Sequence, residues 1–213
     1  MFPDMKKIAL ILTLCLFPCL ADAAAAGVAP APLSAHDHED VARIENYLNG
    51  LKNIAADFLQ VDDAGGIMRG SLAISRPGKM RVNYDPPNKD FIIADGSFVH
   101  IWNEDLQSQT NVEQGSSLAE FILRDPVKLS GEVVLTKFQR FPAKIEATLV
   151  QANDPAEGSL TLVFEDNPLR LRQWKVLDAQ GRETGVSLEN MHEDVKFPSS
   201  LFVFSPPNFG KKS

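Results

Sequence analysis

The sequence predicts a mainly β (α+β) protein: an unclosed antiparallel half-barrel of about ten or eleven strands, with a helical lid over a hydrophobic cavity. Three observations predict it. From residue 55 onward, apolar and polar residues alternate in segment after segment. A period of two means a strand with one dry face and one wet face. The segments are joined by short turn chemistry, such as Asp63-Ala64-Gly65-Gly66, Pro77-Gly78 and Asp95-Gly96, which makes neighbours antiparallel. Helical periodicity, by contrast, is scarce. A sheet that long must curl or close, and so few helices cannot fill its concave face, which leaves a cavity.

The chain of 213 residues opens with Lys6 and Lys7, the apolar run from Ile8 to Leu20, then Ala21-Asp22-Ala23. This reads as a signal peptide over residues 1–23, cleaved after Ala23. The run is too short to span a membrane comfortably. Both cysteines, Cys15 and Cys19, fall inside it, preceded by Leu14 and Pro18 rather than by the small residues of a lipidation signal. The mature chain then works in an oxidising compartment without disulfides. Cleavage removes two charges of each sign, so the formal net charge stays at -7. That sign disfavours a nucleic-acid partner.

Residues 24–35, "AAAGVAPAPLSA", read as a flexible linker, and 36–213 as a single domain. The domain begins with a helix. Val41, Ile44, Tyr47, Leu48 and Leu51 recur at helical spacing, Asp37 with Asp40 offers an N-cap, and Gly50 a stop. Strands are expected near 55–62, 67–75, 79–85, 90–95, 97–103 and 107–112. The pattern breaks at "QGSSLAEFILRDP", 114–126. Ser117 with Glu120 makes a capping box there, Leu118, Phe121 and Ile122 share one apolar face, and Asp125-Pro126 ends the helix. Strands resume near 132–139, 143–152, 158–165, 169–177 and 183–191, with a short apolar stretch at 201–205 read as a last one.

No catalytic signature is present: no G-x-S-x-G, no H-E-x-x-H, no Walker loop. His36-Asp37-His38-Glu39-Asp40 reads as the solvated start of the first helix rather than a metal site. His192-Glu193-Asp194 reads as a surface turn. His100 alternates with Phe98 and Trp102, which puts it on the dry face as a hydrogen-bonded core histidine. Carboxylates are plentiful, but nothing singles out a catalytic pair. The expectation is a protein without catalytic residues, cofactor or metal.

The segment "FLQVDDAGGIMRGSLAISRPGKMRVNYDPPNKDFIIADGSFVHIWNEDLQSQTNV", 58–112, resembles the LolA family of periplasmic outer-membrane lipoprotein carriers. The resemblance runs through Phe58 and Gln60, Gly70, Arg76-Pro77, Met80-Arg81-Val82, Tyr84, Pro87, Asp95-Gly96, Trp102 and Leu106-Gln107, and the tail "FVFSPPNFG" resembles the family's ending. Met80 and Val82 depart from the Phe and Trp many members carry, while staying apolar. The resemblance implies a monomeric periplasmic carrier. It would accept lipoproteins by their acyl chains from an ATP-driven inner-membrane exporter and, in some bacteria, deliver them to an outer-membrane receptor. It also implies that the R-P arginine, Arg76, holds the lid closed. The candidate acyl-contacting residues are Leu72, Ile74, Met80, Val82, Ile93, Trp102, Leu118, Phe121 and Ile122. For each, the alternative is ordinary core packing. Two other functions remain: a lipid or lipoprotein sensor on the same half-barrel, and a secreted hydrolase.

Overall fold

A computed structural model describes residues 28–115 and 118–207. The expected signal peptide, the first part of the linker and Ser117 of the expected capping box lie outside the described residues. The strands are β1 (Asn53–Val61), β2 (Ile67–Ser75), β3 (Lys79–Tyr84), β4 (Phe91–Asp95), β5 (Phe98–Asn103), β6 (Ser108–Glu113), β7 (Val133–Phe141), β8 (Lys144–Gln151), β9 (Gly158–Glu165), β10 (Arg170–Asp178) and β11 (Glu183–Glu193). They form one eleven-stranded sheet in the order β6-β5-β4-β3-β2-β1-β11-β10-β9-β8-β7, antiparallel throughout and unclosed. Two meanders of hairpin-linked strands are thus joined at the middle by the first and last strands, with Phe58 opposite Leu188.

One helix, α1 (Ala35–Gly50), lies against the concave face. It starts earlier than the sequence led us to expect. Ser34 is the cap: its Oγ accepts the Asp37 N–H at 3.2 Å, and Asp37 Oδ2 accepts the Ser34 N–H at 2.9 Å. A serine with an acid three residues on satisfies two free amides reciprocally, which Asp37 with Asp40 does not achieve here. Ile44, Leu48 and Leu51 are buried in the concave core with Ile54, Ile74, Leu162 and Phe164. Each such side chain contributes about 1.5–3 kcal/mol of burial. Tyr47 adds an edge-on contact to Phe164, centroids 6.3 Å apart, and its hydroxyl accepts the Leu171 N–H at 3.2 Å.

The helix is also pinned by polar contacts. Near its start, Arg140 of β7 donates to Asp40 and, at 2.6 Å, to Asp166, while Arg43 bridges the same two carboxylates. Near its end, Asn49 exchanges two hydrogen bonds with the backbone of Val127, and Glu45 accepts the Leu129 N–H at 2.7 Å. The expected short interrupting helix is a single stretch of 3-10 helix, Leu118–Leu123. A proline at 126 leaves too little room for α-helical elongation. Its Glu120 accepts the Gly115 N–H at 2.6 Å, and Phe121 and Ile122 point into the core.

The stretch 201–205 is not a strand. Residues Ser199–Phe202 form a 3-10 turn, and the following residues run as a strap over the convex face of β3–β5. Arg81 donates to the Leu201 carbonyl at 3.3 Å, and the Phe204 ring lies 5.0 Å from His100 and 5.7 Å from Phe91. At the other end of the chain, the Ala31 N–H donates to the Leu135 carbonyl at 2.7 Å, and Leu33 packs on the core. The end of the expected linker is therefore tied to the β7 edge, while β6 forms the opposite edge and is exposed along its length.

Candidate functional site

The concave face is covered in part. Under α1 and the 3-10 lid the sheet is sealed. Beyond them, a cavity of about 300 Å³ remains open to solvent. Its walls come from both meanders: Phe58, Gln60, Leu72, Met80, Val82, Tyr84 and Ile92 on one side, and Trp174, Val176, Thr184 and Val186 on the other. The register explains why these side chains converge. Leu72 pairs with Val82, Val82 with Ile92, Gln60 with Val186 and Val186 with Trp174, and paired residues share a face of the sheet.

Gly70 makes one wall possible. It stands opposite both Phe58 and Tyr84, and a Cβ there would lie 2.8 Å from the Phe58 ring and collide with the Asn83 carbonyl. The two rings therefore meet over it, edge to face. The Tyr84 hydroxyl donates to Gln60 Oε1 at 2.9 Å. Burial, with Asp90 nearby, pushes the Tyr84 phenol up from its ordinary value, so it stays a neutral donor.

Arg76 occupies the other end. Its guanidinium donates to the carbonyls of Leu48 and Leu51 at the end of α1 and, at 3.3 Å, to that of Arg124 just after the lid. It is buried, and among the described residues its Nε meets no acceptor. Desolvation pulls its pKa down, with the Asp125 charge opposing. Asp125 itself is paired with Lys52 at 2.8 Å. The lid is thus fastened to α1 and the sheet by a cation that, among the described residues, touches carbonyls and no carboxylate.

The sequence candidates divide into three groups. Leu72, Met80 and Val82 line the cavity. Ile74, Leu118, Phe121 and Ile122 belong to the sealed core beside it, Ile74 on the sheet and the other three on the underside of the lid. Ile93 and Trp102 are corrected: they stand on the convex face. Ile93 pairs with Arg81 and His100, and Trp102 with Phe91, all on the side covered by the strap. His100 shares that convex face, half-buried and hydrogen-bonded through both ring nitrogens. Its Nε2 lies 3.0 Å from Asp95 Oδ2 and its Nδ1 2.9 Å from Asn111 Oδ1. Sequence reasoning missed the second wall. Trp174 and Val176 alternate with Gln173 and Lys175, so the signal was there.

Comparison with known proteins places the chain in a family. The family model for the outer membrane lipoprotein carrier protein LolA matches residues 49–205. An outer-membrane lipoprotein carrier protein of Chromobacterium violaceum is 29% identical over 204 residues, covering 90% of this chain and 94% of the relative. An uncharacterized protein of Rickettsia prowazekii is 25% identical over 209 residues, covering 95% of this chain and 92% of the relative. Among solved structures, a LolA superfamily protein of Nitrosomonas europaea aligns with a TM-score of 0.47 at 8% identity, over 77% of this chain and 97% of that one. With three quarters of its residues under that single family model, the chain belongs to the LolA family of outer membrane lipoprotein carrier proteins.

Proposed function

We propose that this protein is a periplasmic carrier that holds lipoproteins by their acyl chains and delivers them to the outer membrane. The observation that carries the reading is the open apolar cavity, with Arg76 bonded to the carbonyls of Leu48, Leu51 and Arg124 beside the 3-10 segment that we read as its lid. The carrier names of its relatives support it. Loading from an ATP-driven inner-membrane exporter, delivery to an outer-membrane receptor where one exists, a monomeric state and export by residues 1–23 complete the proposal.

The size of the cavity sets how the carrier works. One methylene needs about as much space as a water molecule, roughly 30 Å³, so the present volume takes about ten. At about 0.8 kcal/mol each, that is about 8 kcal/mol, a micromolar affinity before ordering costs. A whole chain, let alone three, needs the lid to give way. Lifting the lid costs the bonds of Arg76 but returns a buried cation to water, so the two states lie close in energy. Cargo held this way is released again without fuel.

The test is native purification from the periplasm followed by mass spectrometry of what is bound, with transfer of a labelled lipoprotein from spheroplasts as the functional readout. Recovery of acylated lipoprotein on the purified protein is the expected result. A protein that comes off empty and releases no lipoprotein from spheroplasts is not a carrier.

A further inference from the structure

The apolar cavity has a polar rim. Three hydrogen-bond donors stand along its wall: the Gln60 amide, the Trp174 indole N–H and the Thr184 hydroxyl. Among the described residues, none of Gln60 Nε2, Trp174 Nε1 and Thr184 Oγ1 meets an acceptor. Their placement is not scattered. Gln60 is the penultimate residue of β1, Tyr84 the last of β3 and Thr184 the second of β11. The antiparallel register brings these ends together: Tyr84 pairs with Gly70, and Gln60 with Val186, which pairs with Trp174. All lie at the end of the sheet opposite Arg76. From Ile54, which is buried in the core at the Arg76 end, to Gln60 is about 20 Å of strand, and the side chains between them on the same face, Ala56 and Phe58, are apolar.

Gln60 is also aimed. Its Oε1 is taken by the Tyr84 hydroxyl at 2.9 Å, so the amide cannot swing to hide its NH2. An amide so fixed in an apolar wall presents a donor to whatever enters, and an entering group with no acceptor leaves that donor unsatisfied.

Building on the acyl-carrier reading above, we infer that Gln60, oriented by Tyr84, donates a hydrogen bond to the carbonyl of the ester or amide that joins an acyl chain to its carrier molecule. Trp174 and Thr184 stand ready for a second such carbonyl. The rim thereby sets how deep a chain enters: methylenes pass toward Arg76, and the first carbonyl stops at Gln60. Plain hydrocarbon and ether-linked chains satisfy the apolar wall but not the rim. Gln60 is a specificity-determining residue and Tyr84 a positioning one.

The experiment uses two lysolipids that differ in that carbonyl alone: 1-palmitoyl lysophosphatidylcholine and its 1-O-hexadecyl ether analogue. Each competes with a fluorescent acyl probe, below its micelle concentration. The wild-type protein is expected to prefer the ester by about three- to ten-fold, the range of one neutral hydrogen bond. Gln60→Met, with circular dichroism as the folding check, should bring the ratio to one by weakening the ester alone. Tyr84→Phe, which keeps the ring, should lower the ratio without abolishing binding, and it carries the test if the first variant does not fold. A second arm compares a diacylglyceryl-cysteine peptide with a diacyl phospholipid of equal chain length. Loss on Gln60→Met for the peptide alone places the carbonyl on lipoprotein; loss for both extends the recognition to acyl esters at large. An equal wild-type affinity for ester and ether, or a ratio unchanged in both variants, overturns the inference and leaves the carrier reading intact. If neither lysolipid displaces the probe from the wild type, the acyl-cavity reading itself falls, and the inference with it.

Discussion

Phe58 and Tyr84 meet edge to face across a strand that lies between them, ring centroids 5.5 Å apart and planes at 86°. They reach each other because the residue beneath them is Gly70. Gly70→Ala should therefore act by steric clash rather than through backbone freedom, the added Cβ meeting the Asn83 backbone carbonyl first and the Phe58 ring next. It is expected to cost about 1–3 kcal/mol, the usual range for overpacking, and to splay the two rings. Urea denaturation reads the cost, and an unchanged midpoint would show that the wall yields freely.

Arg76→Leu keeps apolar bulk and removes the donors to Leu48, Leu51 and Arg124. A hydrogen bond from a charged group is worth roughly 1.5–3 kcal/mol, and the relief of burying a cation offsets part of it. The lid should open more readily, so the variant loads and then retains cargo, with release slowed about ten-fold. Loaded protein should accumulate in a transfer assay. Poor loading with normal release would instead mean that Arg76 serves folding or docking.

Met80→Glu places a carboxylate on the cavity wall. Met80 is only half-buried, so the fold should survive with its melting temperature little changed. Binding of acyl probes should fall at least ten-fold, since a charge against hydrocarbon is costly. A folded variant that binds normally would remove Met80 from the cargo surface.

The β4–β5 hairpin should respond to pH through the pairing of His100 with Asp95. Burial by itself lowers the His100 pKa, but its hydrogen bonds to Asp95 and Asn111 outweigh this, and the net direction is upward. The bond from His100, helped by the backbone N–H groups of Phe98 and Ser97, holds Asp95 at about 2. Lys79 lines the same depression. For His100, a raised folded value means stability that is complete below about 6.5 and is lost as pH rises through the raised value. For Asp95, a depressed value means stability present above about 3.9 and lost as pH falls toward 2. The pairing should contribute its full stability between about pH 4 and 6.5. Histidine NMR titration checks it: His100 should titrate above 6.5 in the wild type and lower in Asp95→Asn. A wild-type value at or below 6.5 would contradict the pairing.

Period-two alternation made the strands legible, along with their antiparallel joints and the spare concave face. It did not reveal which face is which where both are buried. Phe91-Ile92-Ile93-Ala94 is a continuous apolar run, and such a run signals two covered faces. The second cover is the strap, whose Phe202 and Phe204 look like a short strand in sequence. Trp102 went to the wrong side for the same reason: its parity with His100 and Phe98 was right, but the side that parity chose was not. Gln60 stood in the motif that carried the resemblance, yet only the pairing of strand ends shows what surrounds it. The first helix cap was misplaced because Ser34 sat inside a stretch rich in alanine and proline.

The pairing of β1 with β11 has a consequence for how the molecule comes into being. As the chain emerges from the ribosome, the first meander can form alone, from contacts between neighbours in sequence. So can the second. The seam between them cannot, because one partner is the opening strand and the other is the closing one. The cavity straddles that seam, with Phe58 and Tyr84 on one bank and Trp174 and Val186 on the other. A nascent chain that has not yet made β11 therefore lacks one bank of the apolar hollow, and the cavity comes into existence only when that seam closes.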